Sequence, residues 1–176
     1  MPAVAKTSRQ DILRTAEDLL GQRGEEGVTF LQIAKRCGVK GPSLYKHFPD
    51  REALIHELEV RAFAQLGNQL SAAPQSVIGL ASAFLSFASL NPGPYSLLFK
   101  SGDPSLPTEA IRPVLVLLEN ILGNREEALT RARVIASFLH GYALMERSGA
   151  FRLGGDPAAC VAVGLKLIVP EASGTN

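Results

Sequence analysis

The sequence predicts an all-α protein of about nine helices. Three observations carry that expectation. Apolar residues recur at three- and four-residue spacing through nearly every long window. No window of useful length alternates apolar and polar residues as a half-buried strand would. Gly and Pro stand between the periodic windows, where helices start and stop. At 176 residues, with 46% hydrophobic and 20% charged, the chain suits one compact domain or a small domain joined to a modest partner.

The first helix is expected from Arg9 to Arg23, where Ile12, Leu13, Ala16, Leu19 and Leu20 share a face. Ser8 and Asp11 form a capping box at its start, and Gly21 and Gly24 loosen its end. A second helix begins after Thr29, with Gln32 three residues on and a Val28–Ile33 staple across the cap. It ends near Cys37, where Gly38 suits a left-handed stop. Pro42 opens a short third helix to Phe48, with Leu44 and Phe48 facing the core. Asp50 caps a long fourth helix, Arg51 to about Leu70, lined by Leu54, Leu58, Ala62 and Leu66. Beyond Pro74 come an apolar helix from Val77 to Leu90, a turn at Asn91–Pro94 and a short helix from Tyr95 to Lys100. A loop spans 101–107. Helices then follow at Thr108–Leu122, Arg125–Gly149 and Pro157–Val169, and the tail 170–176 is expected to fray.

Composition excludes several classes. Lys and Arg number 18 against 17 Asp and Glu, a net charge of +1. That argues against a protein that coats polyanions with its whole surface, and leaves room for a local basic patch. Cys37 and Cys160 are too few and too far apart for a disulfide scaffold or a zinc site, and they fit a reducing cytoplasm. No apolar run reaches membrane-spanning length, and Met1 to Gln10 lacks the apolar segment of an export signal. A cytoplasmic protein is therefore expected. There is no phosphate-cradling Gly motif, nucleophile elbow or H-E-x-x-H word, and His47, His56 and His140 show no metal-ligand spacing. No catalytic residue, cofactor or metal is expected. An all-α enzyme with scattered carboxylates and a helical interaction module remain the alternative readings.

Residues 28–51 carry the clearest mechanism. A capped helix, a Gly38 turn and a second short helix make a helix-turn-helix. Lys35, Arg36, Lys40, Lys46 and Arg51 face a single acid, Asp50, so the rest of the chain is net negative. Such concentrated charge is expected of a phosphate-facing surface. A short helix of this kind fits the major groove, about 12 Å wide.

The stretch resembles the DNA-binding region of TetR-family transcriptional regulators. The matching words are Thr29, Ile33-Ala34, Gly38-Val39 and Leu44-Tyr45-x-His47-Phe48-x-x-Arg51-x-Ala53-Leu54. The resemblance covers Ser8 to Leu54. It implies that Lys40, Gly41, Pro42 and Ser43 lead into a recognition helix with residues 41–43 nearest the base edges. It further implies phosphate contacts from Tyr45, His47 and Arg51, and an exposed Lys46 touching base or backbone. Thr29 would anchor its helix by its cap and aim its backbone amide at a phosphate. Phe30 and Leu31 stand where the family often has polar residues, and Gly41 has no side chain, so shape and backbone contacts are expected to outweigh base readout.

The resemblance also implies a two-fold dimer, with half-sites about 34 Å apart or a multiple of that. The last two long helices, rich in Ala, Val, Leu and Ile, are the expected interface. The expected division is a DNA-binding domain over 1–53 and a sensing and dimerisation domain over 54–176. Asn91-Pro92-x-x-Tyr95-x-Leu97-x-Phe99, Leu139-His140-Gly141-Tyr142-Ala143 and Gly149-x-Phe151 are similar to the WHG carboxy-terminal sensing domain of the same family. Phe63, Phe84, Phe87, Phe99, Phe138 and Tyr142 are expected to wall an apolar pocket for a small apolar effector. His140 is either a ligand-facing hydrogen-bond partner or a satisfied core residue. Together these imply a ligand-responsive repressor that binds a palindromic operator as a homodimer.

Overall fold

The computed structural model describes residues 7–100 and 108–169. The loop expected at 101–107 and the tail at 170–176 lie outside the described residues. Among the described residues all regular structure is helical. The α-helices are α1 (Arg9–Arg23), α2 (Phe30–Cys37), α3 (Arg51–Ala72), α4 (Val77–Leu90), α5 (Pro92–Leu97), α6 (Arg112–Leu122), α7 (Arg125–Arg147) and α8 (Pro157–Ile168). Short 3-10 segments lie at Glu25–Gly27, Gly41–Lys46 and Thr108–Ile111.

The helix starts follow their caps. Ser8 and Asp11 exchange both bonds of the capping box. The Thr29 hydroxyl accepts from the Gln32 amide at 3.3 Å, and the Asp50 carboxylate accepts from the Ala53 amide at 2.7 Å. Asn124 and Asp156 cap α7 and α8 in the same way. Gly38 stops α2 at φ 67°, a conformation that would strain a residue bearing a Cβ.

Three elements differ from expectation. The segment expected as an α-helix from Pro42 to Phe48 is a 3-10 helix from Gly41 to Lys46. Its turns close from the Ser43 amide to the Lys40 carbonyl and from the His47 amide to the Leu44 carbonyl. With only six residues and a proline that cannot donate, there is little α-type bonding to favour the wider helix. The short helix expected at Tyr95–Lys100 begins three residues earlier, because Pro92 serves as its first residue. The helix expected at Thr108–Leu122 opens with a 3-10 turn, and α6 proper starts just before Pro113.

The chain packs as two units. The first comprises 1–64 and 91–107, and the second 65–90 and 108–176. In the first, Ile12, Leu19, Ile33, Leu44, Phe48 and Leu54 form a core with almost no exposure. Leu97 of α5 joins it. Gly93 permits this approach, since a Cβ there would lie 2.9 Å from the Gly21 amide nitrogen. This segment of the chain packs on α1. In the second unit α7 is central, packed against α4, α6 and α8.

Candidate nucleic-acid interface

The helix-turn-helix is held rigidly from behind. Arg51, at the first turn of α3, donates through Nε to the Val28 carbonyl and through Nη2 to the Glu25 carbonyl, both at 2.8 Å. It also pairs with the Glu25 carboxylate at 3.2 Å, and Lys100 reaches the same carboxylate at 2.6 Å. Arg51, expected on a phosphate, is thus a brace that fixes the segment leading into α2 against α3. Arg9 plays a similar part. Its guanidinium lies 4.1 Å from the centre of the Phe48 ring, donates to the His47 carbonyl and pairs with Glu57.

The Glu25 junction should respond to acid. Partial burial works to raise its carboxyl, but the Lys100 and Arg51 cations outweigh that and hold it below its ordinary 4.5. A carboxyl depressed on folding contributes stability above its unfolded value, and that contribution is lost as pH falls through the folded value. Thermal melts should therefore show the wild type losing stability as pH drops below 4.5, with a shallower loss in Glu25→Gln. Identical acid limbs would show that the junction contributes nothing.

The remaining expected residues divide by their surroundings. Lys40 and Lys46 are exposed, as is Lys35 on α2, and none of the three has a hydrogen bond or ion pair among the described residues. Arg36 instead donates to the Gln22 side chain at 2.6 Å. Pro42 is exposed, while Gly41 and Ser43 are half-buried at the start of the 3-10 segment. Tyr45 is 60% exposed, and its ring meets Phe30 edge-on at 4.9 Å. Phe30 therefore braces the phenol, which accounts for an aromatic where a polar residue is more usual. Leu31, the next residue of α2, is 76% exposed. His47 is half-buried. The Thr29 amide, expected to face a phosphate, donates to the Gly27 carbonyl at 3.1 Å. The first amides of α2 without intrahelical partners are then those of Phe30 and Leu31.

The second unit contains a cavity of about 860 Å³. Leu66 and Leu70 of α3, Leu80 and Phe84 of α4, Leu118 of α6 and Leu139 of α7 are among its walls. Of the six aromatic residues expected to wall a pocket, Phe84 lines this cavity. Phe87 is buried elsewhere on α4. The Phe138 ring occupies space beside Gly164, where a Cβ would lie 2.4 Å from it. Tyr142 stacks on Phe151 at 5.2 Å and donates to Glu146 at 3.4 Å; burial first, then Glu146, pushes its phenol up. His140 is half-buried on α7 and is not on the cavity wall. Phe63 and Phe99 belong to the first unit, where Phe99 meets Tyr95 edge-on at 5.6 Å. The cavity is aliphatic because α6 contributes an unbroken Val114–Leu118 run, while the aromatics of α7 sit on other faces. That run was the available signal in the sequence.

Among the described residues no cluster of His, Cys, Asp and Glu suits a metal, and no helix is long and apolar enough to cross a membrane.

Comparison with known proteins agrees with this architecture. Residues 12–58 match the family model described as bacterial regulatory proteins, tetR family. Residues 77–168 match the tetracyclin repressor-like C-terminal domain, a description distinct from the WHG domain. The HTH-type transcriptional regulator Rv0681 of Mycobacterium tuberculosis is 32% identical over 158 residues, covering 82% of this chain and 72% of that protein. The regulatory protein SCO4313 superposes with a TM-score of 0.75 at 26% identity, over 92% of this chain and 94% of its own. A TetR variant from Acinetobacter baumannii AYE, solved in complex with minocycline, shares the fold at a TM-score of 0.69 and 18% identity, over 93% of this chain and 95% of its own. With an amino-terminal helix-turn-helix region and a longer carboxy-terminal region that both match, the chain belongs to the TetR family of helix-turn-helix transcriptional regulators.

Proposed function

We propose that the protein is a ligand-responsive repressor that binds a palindromic operator as a homodimer. The carrying observation is the surface built by Lys35, Lys40, Lys46 and Tyr45 around the 3-10 segment. It holds exposed cations without internal partners, while Arg36 and Arg51 of the same stretch are engaged. Unpaired lysines are available to displace counterions from phosphates. Gly41, Pro42 and Ser43 approach the bases, with Tyr45, Lys46 and His47 on the flanking backbone. The amides of Phe30 and Leu31 meet a phosphate at the amino end of α2. Arg51 and Thr29 serve the interface by positioning it.

Dimerisation is assigned to α7 and α8. Val163 and Leu167, one turn apart on α8, are 58% and 79% exposed, and Val134 and Met145 on α7 are each near half exposed. Pairing with a second copy would cover them and give two recognition segments for two half-sites.

Sensing is assigned to residues 54–176 and DNA binding to 1–53. The effector is a small apolar molecule in the aliphatic cavity, and the WHG-like word Leu139-His140-Gly141-Tyr142 lies within the same region. The neighbour that holds minocycline gives precedent for a bound small molecule in this fold. The helix α3 contributes residues to both units and is the natural link between them. An effector that favours one conformation by about 3 kcal/mol changes operator occupancy more than a hundredfold.

Selection from a randomised duplex library tests this reading. The expected product is an inverted repeat bound by two chains. Enrichment of no sequence, or of an asymmetric site bound by one chain, would contradict it.

A further inference from the structure

The aliphatic cavity of the second unit is apolar on its walls and charged only where polar side chains border it. Those charges are not balanced. Arg125 pairs with Glu119 at 2.6 Å, and Arg112 with Glu109 at 3.5 Å. The fifth charged lining residue, Arg133, has no hydrogen bond or ion pair among the described residues. Arg133 is exposed yet borders the cavity, one helical turn from Ala136, in a lining that is otherwise mostly hydrocarbon.

We infer that the effector is an amphipathic anion: a saturated hydrocarbon chain in the cavity with a carboxylate head on Arg133. This inference rests on the sensing role proposed above and adds the chemistry of the head group. A hydrocarbon chain matches walls that offer Leu, Val and Ala but almost no aromatic face and no inward hydroxyl or amide. A carboxylate matches the planar fork of a guanidinium, which binds it through two parallel hydrogen bonds. A cationic head would meet Arg133 with no carboxylate left uncommitted, because Glu109 and Glu119 already face arginines. A neutral head would gain no charge-assisted bond. The Arg133 site is wet, so the preference for the anion is moderate, about fivefold.

Decanoate, 1-decanol and decylamine share one chain and differ in the head. Their affinities for the full-length protein can be measured by calorimetry below their aggregation limits. The expected order is decanoate first, about fivefold or more ahead of the alcohol, with the amine weakest. Arg133→Gln should bring decanoate down to the level of the alcohol and leave alcohol binding unchanged, while Arg133→Lys should keep part of the preference. Equal binding of acid and alcohol by the wild type would overturn the head-group assignment and leave the apolar cavity standing. Failure of all three to bind would overturn both the assignment and the sensing role of the cavity.

Discussion

Phe48→Ala is expected to destabilise the amino-terminal unit by about 3–5 kcal/mol, the range for removing a well-packed aromatic. Phe48 is 1% exposed and closes the core formed by Ile12, Leu19, Ile33, Leu44 and Leu54. Its ring has a second use. The Arg9 guanidinium rests on it while donating to the His47 carbonyl. Losing the ring therefore opens a cavity and frees the arginine that holds the end of the recognition segment. A 3-10 segment of six residues has little stability of its own, so its geometry depends on this support. Urea titration should show a lowered midpoint for unfolding of this unit, and DNA affinity should fall with it. A cost below about 1 kcal/mol would mean that the core around Phe48 is loosely packed.

Leu167→Glu combined with Val163→Glu is expected to leave the fold intact and abolish pairing. Both side chains are mostly exposed within one chain, so a carboxylate there stays in water in the monomer. In the proposed dimer each copy would bury two uncompensated charges, at several kcal/mol per interface. Sedimentation should show a monomer with an unchanged helical spectrum. Operator affinity should drop by about 10²–10⁴, the gain that linking two binding modules ordinarily gives. A variant that remains dimeric would move the interface away from this face of α8.

Much of the first unit was legible because its signals are local. Ser8, Thr29 and Asp50 each announce a helix start, and Gly38 announces a stop, through bonds between residues at most four apart. The Tyr45, His47 and Phe48 spacing then marks the helix-turn-helix. What the residues could not announce were contacts between distant parts of the chain. Arg51 reads as a surface cation until the Val28 and Glu25 carbonyls, more than twenty residues away, fold beneath it. Gly21 and Gly93 are each an ordinary helix irregularity until the structure brings them together. The walls of this cavity are hard to read for a similar reason. Aromatic residues attract attention as pocket walls, yet Phe138 and Tyr142 satisfy themselves against Gly164 and Phe151. The wall falls instead to the plain aliphatic run of α6.

The dependence of DNA affinity on salt, compared between wild type and Lys46→Ala, addresses whether twin recognition segments grip a duplex through their lysines. Each phosphate contact contributes a slope of about 0.9 in log affinity against log salt. If Lys46 of both copies holds a phosphate, the variant should bind every duplex more weakly and its slope should be shallower by about 1.8. An unchanged affinity and slope in Lys46→Ala would contradict the account, since the exposed cations around Gly41–Lys46 would then lie off the DNA.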